Sequence, residues 1–157
     1  MQRTGSAKRQ VSDLRKHVGF WMRFVSNHVS HAFARKLEQH RVTVAEWVVL
    51  REMYGGGRVA PSDVAARTGL TRGAISKLVD RLVEKKLVLR EDRMDDRRYQ
   101  DVALTAAGSK LVPVLAELAD GNDEEFFQVL PAGERAALLE TLKKLVEKNR
   151  LHTLPTN

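Results

Sequence analysis

The sequence predicts a mostly α-helical protein with a small β-wing. Apolar residues recur at intervals of three and four along most of the chain, which is the spacing of amphipathic helices. The pattern changes at two short apolar runs, Leu87–Arg90 and Tyr99–Leu104, which flank the charged loop 91–98. A helix followed by a strand, a charged loop and a second strand has the layout of a winged helix, and this block is the centre of the prediction.

Length and composition favour one domain, or one compact domain with extensions. The chain has 157 residues, of which 43% are hydrophobic and 30% charged, as in globular proteins. We expect a flexible basic arm at 1–10 and a winged helix-turn-helix region at 43–108. Residues 11–42 and 109–157 would form flanking helices, with more apolar surface on the leading helix than one neighbour covers. We therefore expect a dimerisation region there.

Charge and residue usage narrow the function further. The formal charge of +7 and the pI of about 10.0 favour a polyanionic partner. The chain has no cysteine, which excludes disulfides and thiolate metal sites and suits a reducing cytoplasm. No apolar run approaches the ~18 residues of a membrane span, and the N-terminal residues lack the apolar centre of a secretion signal. We expect a cytoplasmic protein without a membrane partner.

The helix that opens the block is the first candidate binding element. Thr71 stands at an N-cap position, and one helical stripe is apolar from Ile75 to Val83. Small residues on the opposite face allow close approach to a surface, and the cations and hydroxyl beside them can hydrogen-bond it, as in a DNA major groove. Arg72 lies nearer the stripe and suits a phosphate. The candidate face consists of Gly73, Ala74, Ser76, Lys77, Asp80 and Arg81.

Earlier segments supply the elements that support this helix. Helical spacing predicts a long leading helix from about residue 11 to residue 40. Thr43 and Glu46 form a capping-box pattern for a second helix, which ends at the turn Gly55–Gly57. Pro61 suits the start of a third helix, and Thr68-Gly69-Leu70 predicts a tight turn with Gly69 at positive φ.

Two further helices are predicted after the wing. Thr105 would cap a long helix that contains Pro113, and this proline either kinks the helix or marks a different start. Gly121 and Asn122 would interrupt or weaken the same helix. Pro131 opens a last helix with a leucine-rich stripe.

The chain resembles the MarR family of winged-helix transcriptional regulators over nearly its whole length. Each of the motifs that carry the resemblance is weak alone, but their order and spacing are specific. They are Asp63-Val64-Ala65, Val79-Asp80-Arg81-Leu82, Leu87-Val88-Leu89-Arg90, Asp95-Asp96-Arg97-Arg98 and Leu104-Thr105-Ala106-Ala107-Gly108.

The resemblance implies a homodimer that binds pseudo-palindromic double-stranded DNA. Its recognition helices would enter successive major grooves and its wings the flanking minor grooves. Asp96 would orient the wing, and Arg98, with Arg97 beside it, would reach the minor groove. One position departs from the family, which usually has glycine where this chain has Lys86. This lysine must accept a left-handed conformation or change the helix cap.

Two other groups of side chains are candidates for ligands. The resemblance also implies a small-molecule pocket between the dimerisation helices and the DNA-binding region, which Trp21, Phe24, His28 and Trp47 could line, although core packing explains the aromatic residues equally well. His28 and His31 lie three residues apart and could face one metal ion, but the sequence shows no third ligand. We predict neither a metal nor another cofactor.

The resulting hypothesis is a sequence-specific DNA-binding regulator, a homodimeric repressor released by a small molecule. The alternative is a winged-helix module for protein–protein contact without sequence-specific DNA binding. We predict no enzymatic activity, because the sequence contains neither a nucleophile-elbow motif nor a cofactor-binding loop.

Overall fold

The computed structural model describes residues 11–154, so the predicted basic arm at 1–10 lies outside the described residues. It contains six α-helices and one two-stranded sheet in this part of the chain, in agreement with the predicted class. The elements are α1 Val18–Leu37, α2 Val44–Met53, α3 Pro61–Thr68, α4 Arg72–Glu84, β1 Val88–Asp92, β2 Gln100–Leu104, α5 Ala106–Phe127 and α6 Ala132–Lys148.

The leading helix is shorter than its periodicity suggested. A separate 3₁₀ turn, Leu14–Lys16, precedes α1 and is capped by the side chain of Asp13. His17 then adopts an extended conformation, with φ −89° and ψ 121°, so the predicted start near residue 11 is wrong. At the other end the helix changes to a second 3₁₀ turn, Glu38–His40. Apolar spacing continues through both turns, which is why the sequence did not reveal them.

Two predicted helix N-caps, Thr43 and Thr71, and the predicted positive φ of Gly69 are confirmed. The Thr43 hydroxyl accepts the Glu46 N–H at 3.2 Å while the Glu46 carboxylate accepts the Thr43 N–H at 2.8 Å, which completes the capping box of α2. The Thr71 hydroxyl accepts the Ala74 N–H at 3.1 Å at the start of α4. Gly69 ends α3 with φ 72°, a left-handed conformation that glycine adopts without steric cost.

One hydrophobic core joins the helix-turn-helix to the long helices. Its largest fully buried side chains come from α1, α2, α4 and α5, so the recognition helix α4 is fixed by packing on its apolar face. These side chains include Leu37, Leu50, Met53, Ile75, Leu82 and Leu115.

The wing is an antiparallel pair with an extra bridge. β1 and β2 pair in a register that sets Val88 opposite Leu104, and the strands are displaced by one or two residues from the predicted runs. Val59, in the segment before α3, exchanges both backbone hydrogen bonds with Val102 at 3.0 and 2.9 Å. This third chain segment was not predicted, and it attaches the wing to the start of the helix-turn-helix.

Lys86 adopts the left-handed conformation, with φ 60°. The N–H of Lys86 donates to the Val83 carbonyl at 2.9 Å and that of Leu87 to the Leu82 carbonyl at 3.0 Å, the two bonds of a Schellman motif. A residue with a Cβ loses about 1 kcal/mol in this conformation. Lysine therefore occupies a glycine position without changing the cap.

Thr105 closes the joint between the recognition helix and the wing. Its hydroxyl donates to the Lys86 carbonyl at 2.8 Å and accepts the Gly108 N–H at 3.0 Å, and its own N–H donates to the Leu87 carbonyl at 3.0 Å. A Cβ on Gly108 would lie 2.2 Å from the Leu87 carbonyl oxygen. The Leu-Thr-Ala-Ala-Gly motif thus packs the start of α5 directly onto the joint.

An ion pair between a buried carboxylate and an exposed lysine supports the same joint from the other side. Glu46 is 0% exposed, and Lys85 donates to its two carboxylate oxygens at 2.8 and 2.7 Å and to the Arg41 carbonyl at 2.8 Å. Burial raises the pKa of Glu46, but the hydrogen bonds from Lys85 and Thr43 outweigh it and hold the pKa below its ordinary value. The pair therefore ties α2 to the end of α4.

The helix α5 begins after Thr105, as predicted, and continues to Phe127 without a break. Its hydrogen-bonded span includes Pro113, and Gly121 and Asn122 do not interrupt it. Asn122 is buried against α1, where its side chain accepts from Lys36 at 2.9 Å and donates to the Val29 carbonyl at 3.2 Å. These tertiary hydrogen bonds satisfy the polar side chain and outweigh its low helix propensity.

Large apolar side chains remain exposed along α1 and α6. None of the residues of α6 is buried, although its leucine stripe is intact. The exposed apolar side chains include Val18, Trp21, Phe24, Val25, Leu139, Leu142, Leu145 and Val146.

Within residues 11–154 no helix is long and apolar enough to cross a membrane.

Gly108→Ala should destabilise the fold by about 2–3 kcal/mol, because the new methyl group would overlap the Leu87 carbonyl. Urea unfolding at a fixed protein concentration measures this change. Gly73→Ala is the matched control, since a Cβ there meets no atom within 4 Å and should alter stability by less than about 1 kcal/mol. Equal effects of the two substitutions would refute the close contact at the joint.

Glu46→Gln should lower the unfolding free energy at pH 7 by about 2 kcal/mol. Because folding lowers the pKa of Glu46, its ionised form stabilises the fold above the ordinary value of 4.5, and this contribution is lost as the pH falls through the folded pKa. The difference in unfolding free energy between wild type and variant should therefore become smaller as the pH falls. Urea unfolding at several pH values measures this difference. Glu52→Gln, on the exposed side of α2, is the control and should show no such trend. A difference that stays constant with pH would contradict this account.

Candidate DNA-binding interface

The recognition helix presents the predicted polar face to solvent. Ser76, Lys77 and Arg81 are exposed, as are Arg72 and Gly73 at the N-terminal end, whereas Ala74 is half-buried. The opposite stripe, including Ile75 and Leu78, is buried in the core. No salt bridge among residues 11–154 involves Arg72, Lys77 or Arg81. The face is therefore a row of available cations beside a glycine that permits close approach.

The tip of the wing holds one arginine in a fixed geometry. The Arg98 guanidinium donates to both carboxylate oxygens of Asp96, at 3.0 and 2.9 Å, and the Arg98 backbone N–H donates to Asp96 Oδ1 at 3.1 Å. These bonds from the side chain and then the backbone of Arg98 lower the pKa of Asp96, and the carboxylate raises the pKa of Arg98. The Arg98 side chain is still 86% exposed. Asp96 thus orients a cation without covering it.

The remaining polar groups of the wing stiffen its strands. Arg93 donates to Asp101 at 2.7 Å across the hairpin, and Gln100 donates to Asp92 at 2.8 Å. Arg97 is exposed beside Arg98 and forms no salt bridge with a described residue. The wing therefore projects two neighbouring arginines, of which one is held and one is unpaired.

Two ion pairs that connect the wing to the rest of the domain were missed by the sequence analysis. Arg90 on β1 donates to Asp80 on the recognition helix at 2.5 Å. Arg58, beside the Val59 bridge, forms a salt bridge with Glu91 on the same strand. The only available signal was the opposite charge of residues distant in sequence, which does not identify a pair.

The predicted pocket residues fall into two groups. Trp21, Phe24 and His28 lie together on α1, with ring centroids 6.3 Å apart between Trp21 and Phe24 and 4.8 Å apart between Phe24 and His28. Trp47 instead packs edge-on against Phe33, with centroids 6.2 Å apart, at the side of the core. Within this chain the structure does not bring Trp47 to the other three. In residues 11–154 no three His, Cys, Asp or Glu side chains are grouped as a metal site requires.

Comparison with known proteins finds relatives that are transcriptional regulators. The chain is 26% identical to the HTH-type transcriptional repressor NicR of Pseudomonas putida over 137 residues, 87% of each sequence. It is similar, with TM-score 0.80 and 25% identity, to the structure of Bordetella bronchiseptica BpsR, a protein whose DNA binding is regulated by 6-hydroxynicotinic acid; 87% of this chain and 97% of that one are covered. The structure of a mutant MarR from E. coli complexed with operator DNA is also similar, with TM-score 0.77 and 26% identity. The similarity covers 86% of this chain and 99% of that one.

A helix-turn-helix with an exposed cationic recognition helix and an arginine-tipped wing defines a DNA-binding regulator of the winged-helix class. Residues 41–98, which contain the helix-turn-helix and most of the wing, match the family model described as MarR family. With the relatives above, this makes the chain similar to the MarR family of transcriptional regulators over most of its length.

A double-mutant cycle tests how Asp96 and Arg98 act on DNA. Arg98→Ala should weaken binding of a duplex selected from a random library by about 1–3 kcal/mol per half-site. Asp96→Ala should weaken DNA binding by a smaller amount than Arg98→Ala does. The double variant should bind no more weakly than Arg98→Ala, because Asp96 acts by holding Arg98.

Fluorescence anisotropy at constant salt measures the four affinities of the cycle. Asp95→Ala, which removes a neighbouring carboxylate that makes no bond to the Arg98 guanidinium, is the control for charge. Losses that add in the Asp96/Arg98 double variant would show that the two residues act independently.

Proposed function

We propose that this regulator is a homodimeric repressor that binds a pseudo-palindromic operator in the cytoplasm and is released by a small molecule. The observation that carries the DNA-binding part is the wing tip, where Asp96 holds an exposed Arg98 in a bidentate pair. An arginine held in this way loses less side-chain entropy when it enters a minor groove.

Each predicted contact has a place in this proposal. Ser76, Lys77 and Arg81 would face base edges in the major groove, and Gly73 and Ala74 would let the helix backbone come close. Arg72, at the start of α4, would bind a phosphate, where the helix N-terminus also favours an anion. Arg97 and Arg98 would enter the minor groove, whose negative potential attracts arginine.

The exposed apolar faces of α1 and α6 support a dimer. Phe24 is 51% exposed and Leu139 53%, and α6 has no buried residue within the single chain. Surfaces of this kind mark interaction sites, and a second copy of the chain would cover both helices. Residues 11–42 and 109–157 are therefore proposed as the dimerisation region, and 43–108 as the DNA-binding region.

Control by a small molecule is supported by the similarity to BpsR, whose DNA binding 6-hydroxynicotinic acid regulates. A ligand that binds one separation of the two DNA-binding units more tightly would shift the dimer toward or away from the spacing of about 34 Å between successive major grooves. The exposed aromatic group of Trp21, Phe24 and His28 is the candidate contact on α1. Trp47 would take part only from a second copy or through a rearrangement of α1.

The proposal is tested with duplexes selected from a random library by the full chain. Log affinity should fall linearly with log salt concentration, because cations on α4 and the wing displace counterions from phosphates. Inserting five base pairs between the two half-sites places them on opposite faces of the duplex and should lower affinity roughly a hundredfold, because only one half of the dimer could then bind.

A salt-independent affinity would contradict the DNA contacts and favour a protein–protein module. Equal binding of the original and the spaced duplex, or of a single half-site, would contradict the two-fold docking.

A further inference from the structure

The segment that follows α6 returns to the helix-turn-helix of the same chain. Leu154 donates its backbone N–H to the Gly69 carbonyl at 2.7 Å. The same segment lies over the Cα of Gly69, since a Cβ built there would be 3.5 Å from the His152 carbonyl oxygen and 3.5 Å from the Leu154 nitrogen. This strap, residues 151–154, therefore connects α6 to the turn that precedes the recognition helix.

The end of α6 directs the chain into the strap. The Arg150 N–H donates to the Glu147 carbonyl at 3.1 Å and the Leu151 N–H to the Val146 carbonyl at 3.0 Å, the two bonds of a Schellman motif. Arg150 has φ 52°, the left-handed conformation that this motif uses. The helix therefore ends at a fixed point, and the chain leaves it in a defined direction.

The turn that receives the strap is itself well held. The Thr68 hydroxyl donates to the Val64 carbonyl at 2.8 Å and accepts the Leu70 N–H at 3.3 Å. Arg72, the first residue of α4 and a proposed phosphate contact, follows Gly69 by three residues. A restraint on the Gly69 carbonyl is therefore a restraint on the start of the recognition helix.

Core packing does not fix the direction of α6 within the single chain, because none of its residues is buried. Near its start Arg135 donates to Glu124 of α5 at 2.6 Å, and an exposed pair of this kind contributes little. A helix of 17 residues is about 25 Å long, so the strap attaches α6 far from its connection to α5. A helix attached at one end can pivot, whereas a helix attached at both ends has a fixed direction.

Hydrogen-bond satisfaction alone also explains the contact. The Gly69 carbonyl needs a partner, and water serves a carbonyl at the surface as well as a backbone N–H does. On this explanation the loss of the strap has no consequence for DNA binding. If the strap instead fixes α6, its loss changes how the two halves of a dimer are placed.

We propose that the strap ties α6 to the helix-turn-helix and so limits the separations that the two DNA-binding units of a dimer can adopt. This inference rests on the proposed dimerisation through α1 and α6. In such a dimer the partner copy covers α6, and the strap of each chain holds its recognition helix at a fixed distance from that interface. Release of the strap makes more than one separation accessible, and DNA binding then selects among them.

Two variants release the strap. Leu154→Pro removes the donor, because proline has no backbone N–H, and Leu154→Ala keeps it and is the matched control. Deletion of residues 152–157 is the second release and leaves the Schellman bond of Leu151 in place.

Fluorescence anisotropy measures binding of the library-selected duplex and of the same duplex with one extra base pair between its half-sites. The insertion moves the half-sites apart by about 3.4 Å and rotates them by about 34°. It should lower the affinity of wild type and of Leu154→Ala at least about tenfold, because one half of the dimer no longer fits. In Leu154→Pro and in the deletion variant the loss should be about threefold or less.

Hydrogen exchange of the Leu154 amide, followed by NMR without DNA, tests whether the strap forms. The amide should exchange at least about fivefold more slowly than in an unfolded peptide, because it is hydrogen-bonded to Gly69. An unprotected amide would overturn the strap. A spacing penalty that is the same in wild type and in both released variants would overturn its action on the dimer.

Two further results separate this inference from the proposed function. If Leu154→Ala behaved as Leu154→Pro does, the backbone hydrogen bond would not be what ties α6 to the turn, and the assignment would be wrong. A wild-type chain that sediments as a monomer, or that binds no duplex, would refute the proposed function. The exchange of the Leu154 amide would still decide whether the strap exists.

Discussion

The arrangement of this domain depends on two consecutive lysines at the end of the recognition helix. The ammonium of Lys85 is held by buried Glu46 and the Arg41 carbonyl, which fixes the end of α4 against α2. The backbone of Lys86 turns left-handed and offers its carbonyl to Thr105, which fixes the wing and α5. The helix α2, the wing and the helix α5 therefore meet at the end of α4. The geometry of this short segment sets the angle between the recognition helix and the wing.

Further bonds extend this constraint toward the proposed DNA-binding surface. The Asp80–Arg90 pair connects the middle of α4 to β1, and the Val59–Val102 bridge holds β2 to the segment before α3. Exposed salt bridges contribute little to stability individually. These contacts act here by fixing positions, because they restrict movement of the wing relative to the recognition helix. A preformed surface binds with a smaller ordering cost than a flexible one.

The parts of the fold that were predictable from sequence are those decided within a few residues. Thr43 and Thr71 were recognisable because a cap and its helix are adjacent in the chain. The roles of Asp96 and Arg98 were expected from the family resemblance, and the structure shows the two side chains paired. Asn122 misled the prediction because its partners lie about ninety residues away on α1. His17 was missed for the opposite reason, since a local change of conformation left the apolar spacing intact. The two ion pairs that connect the wing to the rest of the domain were missed because opposite charges at distant positions do not identify a pair.

Lys86 shows what a departure from a family pattern can indicate. From the sequence, a lysine at this position was expected either to accept a left-handed backbone or to change the helix cap. In the structure Lys86 has the left-handed backbone, and the cap is intact. Gly108 has the opposite property, because there a side chain cannot be accommodated against the Leu87 carbonyl. The joint thus excludes a side chain on the face packed against α5 and carries one, that of Lys86, on its exposed face. Because the Lys86 carbonyl also accepts the Thr105 hydroxyl, the backbone that ends the recognition helix is the same backbone that orients the wing.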